Sequence, residues 1–235
     1  MKVVIREFPE VLSKPIELPD IGELLMYPAF QNISAEDYWK HGTEFQRYLL
    51  SKIPLVHDKR YVSVRSGVWL LEPGTRSHVR LAGGWHIDGD AEMDHVIPEQ
   101  RVYILSSACT AMTEFNLNRL EIGSDASETR MKFTARIRST PEKFGVVGKA
   151  IEPNRIYMFS NHLHRAIDPE RIEFRFFFRV RESDVLDISH AKPLRGVTLN
   201  SAVTGEQRPN IDYRSDRVVI HRPRSLSSSD GEFCA

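Results

Sequence analysis

The chain has 235 residues, 41% of them hydrophobic and 27% charged, with Lys+Arg and Asp+Glu both at 32. This composition fits a soluble globular domain of generous size and is wrong for a disordered chain. A formal net charge of zero lacks the basic excess with which a general nucleic-acid binder neutralises phosphates, so no nucleic-acid partner is expected.

Residues 1–33 are apolar and punctuated by Pro9, Pro15, Pro19 and Pro28, which predicts short strands and turns, with VVI at 3–5 as an edge strand. Charges interrupt the opening apolar run, so it is not a signal peptide, and no stretch is apolar for long enough to span a bilayer. A cytoplasmic protein with no membrane association is expected. Residues 34–53 read as one helix: Ser34 is the N-cap, Asp37 follows three residues on, Tyr38, Phe45 and Leu49 share a face, and Pro54 ends it.

From residue 60 the texture changes to alternation and short apolar runs. Strands are predicted in YVSVRSGVWLL (61–71), RSHVRLAGGWHID (76–88), RVYILSSA (101–108), MKFTARIR (131–138), RIYMFSN (155–161) and RIEFRFFFRVRE (171–182). Turn material separates them. Many strands and few helices predict an all-β core, sandwich or barrel, with flanking helices. One domain over residues 1–205 is expected, then an extension over 206–235 with a late strand in VVIHRP (218–223) and a disordered Ser-rich tail from 224. The two cysteines, Cys109 and Cys234, make neither a disulfide framework nor a zinc site. P-loop, Rossmann and nucleophile-elbow motifs are absent, and Asp88, Asp90 and Asp94 lack the spacing of a calcium loop.

The stretch that carries chemistry is GGWHIDGD, residues 83–90. On an extended segment positions i and i+2 point the same way, so His86 and Asp88 can close on one metal ion. The flanking Gly84 and Gly89 leave room for an approaching ligand, and Trp85 is a candidate pocket wall. A third ligand is needed. SNHLHRA (160–166) supplies His162 and His164 just past a strand, and a facial set of two histidines and one carboxylate leaves coordination positions open for substrate and oxygen. Arg76, His78 and Arg80 alternate on one strand face, and Arg80 is a weak candidate for attracting an anionic substrate.

HIDGD, then HLHRA, then an arginine in the following strand resembles the Fe(II)/2-oxoglutarate-dependent dioxygenases. That resemblance implies a double-stranded β-helix (jelly-roll, cupin-like) core. It implies that His86, Asp88 and His164 are the metal ligands and catalytic residues, with Fe(II) as cofactor and 2-oxoglutarate and O2 as co-substrates. Arg175, 11 residues after His164, takes the place of the family's arginine for the far carboxylate of 2-oxoglutarate, where a planar guanidinium meets it with two parallel hydrogen bonds. Arg179, in the same strand phase, is the second choice. Thr113, 27 residues after His86, matches a threonine that also holds this carboxylate in the taurine-dioxygenase-like branch, with Thr110 as its rival, and Tyr103 is a further 2-oxoglutarate or pocket residue. The implied reaction is oxidation, by default hydroxylation, of a C–H bond in a small molecule such as an amino acid or biosynthetic intermediate. A carboxylate at position 88 favours hydroxylation over halogenation. The alternative is a cupin-like metal isomerase or a non-catalytic small-molecule-binding jelly roll, in which Arg175 would have no carboxylate to meet.

Overall fold

The computed structural model describes residues 2–59, 61–71, 73, 84–88, 100–124, 128, 130–184, 196–198, 211–212 and 217–218. Arg76, His78, Arg80, Gly89 and most of the expected late strand lie outside these residues. The strands are β1 (Lys2–Ile5), β2 (Glu10–Val11), β3 (Ala29–Ser34), β4 (Tyr61–Leu71), β5 (Gln100–Ser106), β6 (Thr113–Asn116), β7 (Leu120–Gly123), β8 (Gly148–Ala150), β9 (Tyr157–Phe159), β10 (His164–Ala166), β11 (Glu173–Ser183), β12 (Gly196–Thr198), β13 (Ile211–Asp212) and β14 (Arg217–Val218). The helices are α1 (Ile21–Met26), α2 (Ala35–His41), α3 (Glu44–Ser51) and α4 (Arg130–Ser139), with a 3-10 turn at Pro141–Phe144.

Seven strands form one sheet in the order β12-β3-β4-β11-β5-β9-β2, and β10-β6-β8 form a second. The pairs β1-β7 and β13-β14 stand apart, and every ladder is antiparallel. The expectation of a mostly β architecture with few helices is met. Among the described residues the sheets do not close into a barrel; they are compatible with a sandwich core.

Alternation along the central strands decides which face each layer covers. Phe176, Phe178 and Val180 of β11, Tyr103 and Leu105 of β5, and Val64 and Val68 of β4 pack with Phe30, Tyr38 and Leu49 on the helical side. The opposite phase of the same strands, Val102, Ile104 and Phe177, packs with Phe115 of β6 and with Tyr157 and Phe159 between the two sheets. A third cluster joins Ile5 of β1 and Ile122 of β7 to Phe133 and Ile137 of α4 and to Trp85, Ile87 and Leu163.

Two local predictions are corrected. The helix expected over 34–53 is split at Gly42. Ser34 does cap α2, its hydroxyl accepting from the Asp37 N–H at 3.0 Å. Thr43, however, opens a second helix with its own capping box, reciprocal with Gln46. The segment 131–138 is the helix α4 and not a strand. Phe133 and Ile137 are four residues apart, a spacing that a period of 2 and a period of 3.6 both accommodate. In the fold Phe133, Thr134 and Ile137 are the buried side chains, which is a helical stripe.

At the far end of β11, Glu182 is fully buried. Its carboxylate accepts from the Val56 and His57 N–H groups at 3.0 and 3.1 Å and from the Tyr103 hydroxyl at 3.0 Å, which ties the segment after α3 to the central sheet. No helix among the described residues is long and apolar enough to cross a membrane. Replacing Glu182 with alanine removes the acceptor of two backbone N–H groups and of the Tyr103 hydroxyl, which keeps only the Pro54 carbonyl at 3.3 Å, and should cost about 3 kcal/mol of stability. Urea denaturation monitored by circular dichroism measures it, with a loss under about 0.5 kcal/mol contradicting the anchor.

Candidate metal centre

The segment 84–88 is extended, and its alternation sorts side chains onto two sides. Trp85 and Ile87, each 4% exposed, go into the cluster with α4. His86 and Asp88 project the other way. His164 begins β10 and meets His86 through an isolated antiparallel bridge. The His86 N–H donates to the His164 carbonyl and the His164 N–H to the His86 carbonyl, both at 2.9 Å.

The two rings lie 4.3 Å apart at their centroids. His86 Nδ1 is 2.9 Å from the Gly84 carbonyl, and His164 Nδ1 is 3.1 Å from the His162 carbonyl. A carbonyl only accepts, so each Nδ1 carries a proton, and in the neutral imidazole that leaves the lone pair on Nε2. Backbone acceptors of this kind fix tautomer and ring direction in metal-ligating histidines.

Both Nε2 atoms face Asp88 Oδ1, at 3.8 Å from His86 and 3.6 Å from His164. These distances are too long for hydrogen bonds. The three donor atoms lie within 4.8 Å of one another. Burial of the His164 ring pushes its pKa down to about 4, with neighbouring His86 adding to the effect and the Asp88 carboxylate opposing it. Burial opposes ionisation of Asp88, but His164, Arg179, His86 and Arg181 outweigh it and hold the carboxyl well below its usual range. Near neutral pH this is a charged carboxylate facing an uncharged His164 imidazole, with electron pairs converging and no proton shared between them. A cation resolves that arrangement, and a donor set of two imidazoles and one carboxylate suits a divalent transition metal. His86, Asp88 and His164 therefore form a group that could hold a metal ion.

The inner face of β11 runs beside this cluster. Arg179 Nη1 is 4.0 Å from Asp88 Oδ2. Four residues earlier on the same face, Arg175 is 6% exposed. Its Nη1 donates to the Ala111 carbonyl at 2.9 Å and its guanidinium lies over Phe177. Its Nε is buried with no hydrogen-bond partner, and among the described residues no carboxylate pairs with it. Burial lowers its pKa, with Cys109 and Glu173 acting in the opposite sense. An incompletely satisfied buried guanidinium is costly unless an anion completes it.

Thr113 opens β6 opposite Ala166 of β10, in phase with Phe115, which stacks on the His164 ring at 5.2 Å. Ala111, two residues before Thr113, accepts the hydrogen bond from Arg175. Thr110, the rival, is engaged elsewhere: its hydroxyl bonds Glu173 at 2.5 Å and accepts from the Glu170 N–H.

Other expected residues are not brought to the site. Tyr103 lies on the helical side of β5 and donates to Glu182, because its strand phase is opposite to that of Val102 and Ile104. Trp85 is no pocket wall; it is buried behind the histidine with the Arg165 guanidinium over it at 4.7 Å. Gly84 makes room for protein and not for ligand, since a Cβ there would overlap the side chain of Arg138. His162 is outside the cluster; its Nδ1 accepts from the Ser160 N–H at 3.0 Å. Gln100 and Arg181 join the site without a motif to announce them. Gln100 Nε2 donates to the Asp88 carbonyl at 2.8 Å, and its Oε1 accepts from Arg181 Nε at 2.8 Å. Their one signal in the sequence is a polar residue at the inward phase of a strand.

Compared with known protein families, curated proteins and solved structures, the chain matches none.

Burial also pushes His162 down to about 4. With folded values near 4 against an ordinary 6.5 for both histidines, the unfolded chain binds more protons between these limits. Stability of the metal-free chain should therefore fall as pH drops from about 6.5 to 4, by of order 3 kcal/mol per histidine. Urea midpoints across this range test it, and His162→Gln and His164→Gln should each flatten the slope.

Proposed function

We propose that the protein is a non-haem Fe(II)/2-oxoglutarate-dependent oxygenase that hydroxylates, or otherwise oxidises, a C–H bond of a small molecule. The carrying observation is the convergence of His86 Nε2, Asp88 Oδ1 and His164 Nε2, served by a strand that also buries Arg175 with an unfilled donor. The order of these elements along the chain supports a double-stranded β-helix type of core, with β10 and the 84–88 segment carrying the ligands and β11 the arginine.

Iron(II) with 2-oxoglutarate supplies the oxidising power when bound: O2 is consumed, 2-oxoglutarate leaves as succinate and CO2, and one oxygen atom enters the substrate C–H bond. The chain's own residues do the rest. His86 and His164 present fixed lone pairs, and Asp88 adds the negative charge that favours a divalent ion. Arg175 and Thr113 bind the far carboxylate of the co-substrate, for which a partly satisfied guanidinium is preorganised. Phe115, Phe159 and Phe177 line the inner side with apolar surface that excludes water from the reacting centre. The absence of net charge supports a small-molecule substrate over a nucleic acid.

Anaerobic addition of Fe(II) and 2-oxoglutarate should produce a visible metal-to-ligand charge-transfer band. His86→Ala should abolish it, and Arg175→Ala should raise the 2-oxoglutarate concentration needed by about ten- to hundredfold. Under oxygen the unaltered chain should form succinate. No band and no succinate with any substrate panel would sink the oxygenase reading and leave a metal-binding protein without this chemistry.

A further inference from the structure

Two of the three donors are positioned by the backbone itself, His86 and His164 through their reciprocal bonds. Asp88 is different. It lies beyond that bridge and outside any strand, so no ladder sets its direction. Among the described residues, the group that hydrogen-bonds its backbone is the Gln100 side chain, whose Nε2 donates to the Asp88 carbonyl at 2.8 Å across twelve positions of sequence. Gln100 is 0% exposed and Arg181 is 3% exposed. Arginine Nε only donates, so the Gln100 oxygen must face Arg181 and its NH2 must face Asp88. The amide cannot flip without leaving an acceptor facing an acceptor and a donor facing a donor, a costly arrangement in a buried site.

We infer that Gln100, held by Arg181, is a positioning residue for the metal centre: it fixes the backbone of Asp88 and so the direction of the carboxylate that completes the donor set. Arg181 acts through the amide, by holding the Gln100 oxygen. It stands on β11, the strand that carries Arg175, and it also donates to Ser183. One strand therefore carries the buried Arg175 guanidinium and, through Gln100, sets the third ligand. This inference rests on reading His86, Asp88 and His164 as a metal centre, and it requires neither iron nor 2-oxoglutarate.

Cobalt(II) is the probe, titrated anaerobically into the full chain and followed by its ligand-field absorption. Gln100→Glu keeps an acceptor for Arg181 and loses the donor to Asp88; Gln100→Leu loses both. Each should weaken cobalt binding by about ten- to hundredfold and alter the band intensity. Phe178→Leu, on the helical side of β11, supplies a chain destabilised away from the site and should keep both affinity and spectrum. If Gln100→Leu does not fold, Gln100→Glu carries the comparison. Cobalt affinity within about twofold of the unaltered chain in Gln100→Glu, with the same spectrum, overturns the inference; so does an equal loss in Phe178→Leu. An unaltered chain that binds no cobalt is a distinct failure, because it removes the metal centre itself.

Discussion

Two hydrogen bonds of 2.9 Å between the backbones of His86 and His164 are the constraint on which the candidate site depends. They join two segments far apart in the chain and set their side chains face to face. Neither segment is long: β10 has three residues, and His86 belongs to no strand. Such a short pairing is not stable alone. Its reverse side supplies the support, where Trp85, Ile87 and Leu163 pack with α4 and with Ile5 and Ile122. The apolar residues that alternate with the ligands therefore hold the ligands in register.

β11 is the second organising element. On its helical side Phe176, Phe178 and Val180 are buried, while its inner phase carries Arg175, Phe177, Arg179 and Arg181. Burying arginines costs several kcal/mol each unless their donors are filled. A sheet built for stability alone would carry valine or isoleucine there. Arg181 fills its needs with Gln100 and Ser183 and Arg179 faces Asp88, whereas Arg175 keeps a donor in reserve. The three arginines on one face are therefore unequally satisfied.

Legibility from sequence follows the strength of the local signal. β4, β5 and β11 are readable because each is rich in β-branched or aromatic residues over seven or more positions. The His-x-Asp pair is readable because a period of two places both side chains on one face. α4 reads as a strand because Phe133 and Ile137 satisfy both periods, and the break at Gly42 is hidden because the apolar face of α2 continues into α3. Proximity in sequence points Tyr103 and Trp85 toward the site, yet one residue along a strand reverses the face. That reversal puts both behind the residues they were expected to accompany.

By itself, the sequence determined the mostly β character, the strands β4, β5 and β11 and the placing of His86 and Asp88 on one side of an extended segment, because these depend on local periodicity and on residue chemistry. The tertiary structure decided what is non-local. It chose His164 over His162, since only His164 pairs across to His86. It bonded Arg175 to the Ala111 carbonyl, and it set Gln100 and Arg181 behind Asp88. Hydrogen bonds between residues distant in sequence leave no periodic trace, so no reading of a single chain reveals them before the sheets are stacked.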